Sequence, residues 1–284
     1  MASDGLDRDA ILAEGAARAG VNGVDRSASW VGALGQLVGS ANHEGGLSPA
    51  GAAAMTEKLT DLTSERLRAE ALLRVHPEVQ GRPVGAFGAS VGGGILLIAT
   101  ALLDESFRPD HVTVLGAYFD LDTYAAAVAG REQRLEEELV AWSPNAEVLE
   151  RLPPAVARAM TDPADRQSVN AAFSSGSYEG ALARLAGLSP SGRDVIDALS
   201  PSHIWQRVTS PVFWIHDPND DFEPLAEARQ AEQAPRDGRL VVVVPQLVQH
   251  AQVSEGAGAR GPLFVLGELW ALLTFTLEVL RIAG

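Results

Sequence analysis

The sequence contains no cysteine and is short of positive charge, with 22 Lys and Arg against 37 Asp and Glu and a formal net charge of −15. Without thiols the chain cannot form a disulfide, a thiolate zinc site, an iron–sulfur centre or a cysteine nucleophile. Covalent or acid–base chemistry therefore falls to Ser, Thr, Asp, Glu, His or Lys, and redox catalysis by the chain's own groups is excluded. The acidic balance argues against nucleic-acid partners, which are bound through clustered Lys and Arg. A secretory signal is also missing: Met1 to Gly20 carries Asp4, Asp7, Asp9 and Glu14 in place of a basic start and an apolar run, so a cytoplasmic location is expected. No long uncharged run is present either. The most apolar stretch, Pro262 to Ala283, is interrupted by Glu268, Glu278 and Arg281, whereas a spanning helix wants about 20 nearly uncharged residues. Gly267, Ala271, Thr274, Glu278 and Arg281 share one helical face of it and leucines cover the rest, which predicts a helix docked on a core and no stable membrane span.

What is present is an ordinary globular composition, 46% hydrophobic and 21% charged, sufficient to bury a core. Four short apolar runs, rich in β-branched or aromatic residues and bounded by Gly, Pro or Asp, read as strands: Pro83 to Ala89, His111 to Phe119, Pro211 to His216 and Leu240 to Leu247. Their near-continuous hydrophobicity suits strands covered on both faces. Helical patterns separate them, an apolar one over Gly92 to Leu103 and a charged one over Pro224 to Ala234, which predicts an α/β fold with a mostly parallel sheet flanked by helices.

Between the second and third of these strands lies a stretch of different character, Leu121 to Ser200. At about 80 residues it is too long for a connection and reads as a small helical cap over one end of the sheet. Helices are expected over Arg131 to Trp142 and Pro154 to Met160, with no strand, and the Glu136-Glu137-Glu138 run reads as a solvated helix face. The core is then residues 1–120 and 201–284, and the cap residues 121–200. The first 80 residues read as mostly helical, over Asp7 to Arg18 and Pro49 to Val75, the second with Ser48 as N-cap; Trp30 to Val38 fits strand and helix equally.

Chemistry is concentrated where the first strand ends, in Gly88-Ala89-Ser90-Val91-Gly92. A G-x-S-x-G pattern is weak by itself in a chain with 28 glycines, but here an apolar strand precedes Ser90 and a helix follows it. That is the context of a nucleophile elbow, in which the serine takes a strained conformation and residues lacking Cβ, Gly88 and Gly92, let strand and helix approach. The helix N-terminus would set the Val91 N–H where an oxyanion develops.

With these residues in place, the chain resembles the α/β-hydrolase superfamily, its serine esterase and peptidase-like branch. The resemblance is carried by Val84 to Gly94 (VGAFGASVGGG), Gly116 to Leu121 (GAYFDL) and Ser200 to Pro224 (SPSHIWQRVTSPVFWIHDPNDDFEP), and extends from Leu72 to the C-terminus. The last segment is similar to the family's approach to its acid, H-G-x-x-D-x-x-V-P. Matched residue by residue, His216 takes the histidine, Asp220 the acid and Pro224 the proline; Asp217 stands where Gly is usual and Glu223 where Val or Ile is usual. Those departures leave Asp217 and Asp221 open as the acid, with Asp120 at the end of the second strand as a further alternative or, more simply, a helix N-cap before Thr123. His250, after the last strand, takes the place of the base, and the order Ser90, Asp220, His250 is the order of this fold. The resemblance implies a serine hydrolase that cleaves an ester, or next an amide, of a small-molecule acyl substrate through an acyl-enzyme on Ser90, with no cofactor and no metal. No strand and loop supplying a second oxyanion donor can be found before Pro83. The first strand would then lack a neighbour, which leaves truncation, homodimerisation or cover by Trp30 to Val38 as ways of protecting it. Loss of one oxyanion donor typically costs about 100- to 1000-fold in turnover, so a catalytically weak or inactive binding protein on the same fold is the alternative.

Overall fold

The computed structural model describes residues 81–283 except 104, 106–107, 247, 250–251 and 254–261. The expectations over Asp7 to Arg18, Trp30 to Val38 and Pro49 to Val75 lie outside the described residues, as does His250, the expected base.

Four strands form one sheet: β1 (Gly85–Ala89), β2 (His111–Leu115), β5 (Val212–Ile215) and β6 (Leu240–Val243). They pair in the order β1-β2-β5-β6, every pair parallel. Each falls within a run read as a strand from composition. The crossovers carry α1 (Val91–Leu102) between β1 and β2 and α7 (Leu225–Gln233) between β5 and β6. α1 is apolar nearly all round, and its Leu96 and Leu97 pack with Val112, Val114, Trp205 and Trp214 in the core beneath the sheet. On the other face, α8 (Pro262–Ala283) docks through Phe275, whose ring meets Phe213 edge-on at 5.6 Å, and through an Arg239–Glu278 ion pair of 2.6 Å. Among the described residues no helix is long and apolar enough to cross a membrane.

Cover is uneven across the sheet. β5 is buried over three of its four residues, whereas Phe87 of β1 is 65% exposed. The expectation that every strand is covered on both faces therefore holds at the centre and fails at β1, which pairs on one side only among the described residues.

The segment between β2 and β5 contains α2 (Leu121–Gly130), α3 (Ala146–Ala159), α4 (Pro163–Phe173), α5 (Tyr178–Ala186) and α6 (Pro190–Ala198), followed by a 3-10 helix, Pro201–Arg207. Asp120, Asn145, Asp162, Ser177 and Ser189 cap these helices, each side chain accepting a first-turn N–H. Their inward faces make a second core around Tyr124, Met160, Val169, Tyr178, Leu185 and Ile196. Two expectations need correction. Pro154 to Met160 is only the end of α3, which begins at Ala146. Arg131 to Trp142 is not a helix but a hairpin, β3 (Glu132–Leu135) antiparallel to β4 (Glu138–Ala141). Arg131 and Glu136 both take positive φ, 55° and 57°, the first ending α2 and the second starting the two-residue turn. The Glu136-Glu137-Glu138 run is thus a hairpin tip, where three adjacent carboxylates separate into solvent. Tertiary bonds outweigh the helical pattern here: Gln133 Oε1 accepts the Ala226 N–H at 3.1 Å, and the Trp142 indole donates to the Asp220 carbonyl at 2.7 Å.

Candidate active site

Parallel strands bring their C-terminal ends to one edge, and ligand sites of open α/β sheets form there. The register is tight at this edge. The Ser90 N–H donates to Leu115 O at 2.8 Å, Gly116 N–H to Ile215 O at 2.9 Å and His216 N–H to Val243 O at 3.0 Å, so the first residue after each strand is tied to the last of the next.

Ser90 stands at the turn from β1 into α1 with φ 54° and ψ −140°. A side chain in that region is strained and persists only where its surroundings impose it. Gly88 shows how: a Cβ there would lie 2.8 Å from Gly92 O and 2.9 Å from Gly93 Cα, so strand and helix could not close on one another. Gly92, by contrast, has open space where its Cβ would be, and steric need for glycine falls on Gly88 alone of the two. Val91 opens α1 directly after Ser90, and its N–H belongs to the helix's first turn, whose donors have no intrahelical acceptor. Ser90 is partly exposed.

The loop after β5 carries the acids. His216, Asp217, Asp220 and Glu223 are all buried, at 0%, 2%, 2% and 1% exposure. Asp217 Oδ1 accepts the Asn219 N–H at 2.6 Å, and Asp221 Oδ2 accepts from Asn145 Nδ2 at 2.8 Å. Asp220 Oδ1 accepts the N–H groups of Phe222 and Glu223, at 2.8 and 3.2 Å, which folds the loop into a side-chain-closed turn. Two phenol and ring contacts hold that turn from outside: Tyr124 donates to Phe222 O at 2.8 Å, and His216 Nε2 lies 3.0 Å from Glu223 O. The turn delivers Glu223 to Ser90, whose hydroxyl donates to Glu223 Oε1 at 2.8 Å.

A further carboxyl lies next to this loop. Glu227 of α7 is fully buried, its Oε2 accepting the N–H groups of Phe119 and Asp120, both at 2.8 Å, and its Oε1 the Thr123 hydroxyl at 2.8 Å. Burial raises its pKa to about 8 against the lowering effect of these donors. Burial first, and then the charges of Glu227 and Glu223, also push the Tyr118 and Tyr124 phenols well above their usual range. The tip of the sheet is an electronegative place.

Of the residues singled out from sequence, Ser90, Val91, Gly88, Asp217, Asp220 and Asp221 come to this edge of the sheet. Asp120 is an N-cap: its Oδ1 accepts from Asp122 and Thr123, and its Oδ2 from the Ser202 hydroxyl at 2.6 Å. Sequence reasoning missed Glu223 and Glu227 as members of the site. For Glu223 the signal was its departure from the apolar residue that the resemblance places before Pro224. For Glu227 it was a carboxylate on the same helical stripe as Ala231 and Ala234.

No protein-family model matches the chain, and no curated protein matches it. Among solved structures, an acylaminoacyl peptidase of Pyrococcus horikoshii is 14% identical, with 74% of this chain covered, 26% of that one, and a TM-score of 0.35. A sugar hydrolase from Lactococcus lactis is 14% identical over 79% of this chain and 71% of its own, with a TM-score of 0.38. Acetyl xylan esterase 1 from Thermoanaerobacterium is 17% identical over 72% and 51%, with a TM-score of 0.34. The chain thus spans about a quarter of the peptidase's length. The sheet itself is parallel and four-stranded with helices in its crossovers, as expected for an α/β fold.

Proposed function

We propose that the protein is a serine hydrolase that cleaves a carboxylic ester or amide of a small acyl substrate through an acyl-enzyme on Ser90. The observation that carries this reading is the backbone of Ser90, φ 54° and ψ −140°, at a strand-to-helix turn that closes because residue 88 is glycine. Strain of this kind has no structural use for an incidental serine, whereas it lifts a nucleophile to the head of a helix. Ser90 Oγ attacks the acyl carbonyl, His250 takes its proton and passes it to the leaving group, and Asp220 orients the imidazole. The Val91 N–H stabilises the oxyanion. Residues 121–200 act as a cap above the site, and water completes the cycle by hydrolysing the acyl-enzyme with the same base.

The test is hydrolysis of p-nitrophenyl acetate and a matched anilide by the full chain. Ser90→Ala and His250→Ala should each lower kcat by at least about 1000-fold; turnover that survives Ser90→Ala would refute the reading. A second reading, a hydrolase-fold protein with weak or no activity, is favoured by one observation, the engagement of the Ser90 hydroxyl by Glu223.

A further inference from the structure

The contact between Glu223 and Ser90 has no place in the triad just proposed. A serine hydroxyl has one proton and donates it to one acceptor at a time. In this site it is directed at Glu223 Oε1, 2.8 Å away, and so not at His250. The geometry around both partners is over-determined. Ser90 is held by its N–H on Leu115 O and by Gly93 N–H on its own carbonyl, each at 2.8 Å, leaving only the hydroxyl free to turn. Glu223 is pinned at both ends of its peptide, its N–H on Asp220 Oδ1 and its carbonyl against His216 Nε2.

Resting on the serine-hydrolase reading, we propose that Glu223 is a positioning residue that holds the Ser90 hydroxyl off its base in the resting site, so that attack starts only when this bond is released. Two effects act in the same direction. The hydrogen bond to a carboxylate must be given up before the proton can pass to His250, and hydrogen bonds to charged groups are the stronger kind. The carboxylate also sits, 1% exposed and little screened, beside the point where the substrate carbonyl becomes an oxyanion, and so opposes the charge that develops there. In the chemical step itself Glu223 neither gains nor loses an atom. The Oγ–C bond forms as the carbonyl π pair moves onto oxygen, and the proton goes to His250.

The experiment compares the full-length protein with Glu223→Val, which removes the acceptor, and Glu223→Gln, which keeps the shape and an acceptor oxygen but loses the charge. The rate of reaction with a fluorophosphonate probe is read alongside kcat and KM on p-nitrophenyl acetate, with Ser90→Ala as background. Labelling and kcat should rise on the order of 10- to 100-fold in Glu223→Val and about 3-fold or more in Glu223→Gln, with KM changed less than about 3-fold. A wild type that resists the probe while Glu223→Val reacts at Ser90 would be the strongest form of this result. Rates that stay within about 2-fold of wild type, or that fall in a folded Glu223→Gln, overturn the proposal. If the wild type and both variants are all inert at Ser90, the serine-hydrolase reading fails and takes the proposal with it.

Discussion

Replacing Glu227 with Gln should remove much of the pH dependence of stability between pH 5 and pH 8. The carboxyl is fully buried and its pKa is raised from 4.5 to about 8, chiefly by burial. Over that interval the native protein keeps a proton that the unfolded chain has released, so each rise in pH favours unfolding, and the effect is complete above about pH 8. A shift of this size corresponds to at most about 5 kcal/mol, enough to matter against a total stability of about 5–15 kcal/mol. Gln should fit the site: its amide oxygen can accept from the Phe119 and Asp120 N–H groups while its NH2 faces the Thr123 hydroxyl, which can accept. Urea unfolding of both proteins at pH 5, 6.5 and 8 is the assay. The stability of the variant relative to wild type should improve steadily with pH, by roughly a few kcal/mol across the series. His111, which burial shifts downward, titrates in both proteins and cancels in the difference. Parallel pH curves for the two proteins would show that Glu227 is ionised in the native state and that the argument from burial is wrong.

Two further outcomes follow from the site's geometry. Gly88→Ala places a Cβ within 2.9 Å of backbone atoms of Gly92 and Gly93, which cannot retreat as a side chain would; it should cost about 1–3 kcal/mol in chemical denaturation and abolish reaction at Ser90. Trp142→Phe leaves the Asp220 carbonyl without the indole donor 2.7 Å away, with an expected loss of about 1–3 kcal/mol. Because that carbonyl belongs to the acid loop, kcat should fall more than KM rises; a stability loss with unchanged kcat would mean the hairpin supports the fold alone.

How much of this was legible in sequence depended on whether a residue's role was local. The turn at Ser90 was: an apolar strand, a serine between glycines and an apolar helix are adjacent in the chain, and its strained geometry follows from that adjacency. The four sheet strands were legible for the same reason, although the exposed Phe87 side of β1 was not, because cover comes from remote elements. The β3–β4 hairpin was hidden because Leu135, Leu139 and Trp142 recur at helical spacing among charged residues; what decides it is a bond from Gln133 to Ala226, 93 positions away. Glu223 meets Ser90 across 133 positions and only through the turn that Asp220 closes. The helix Pro224 to Ala234 read only as charged, yet Glu227 faces inward, since Phe119, Asp120 and Thr123 offer it three donors that no local pattern reveals.

Whether Ser90 is a nucleophile is decided by intact-protein and peptide mass spectrometry after exposure of the full chain to a fluorophosphonate. A single phosphonyl adduct is expected on the peptide containing Ser90, absent from folded Ser90→Ala and formed faster in Glu223→Val. A folded protein whose Ser90 stays unmodified in wild type and in Glu223→Val alike would contradict the serine-hydrolase reading.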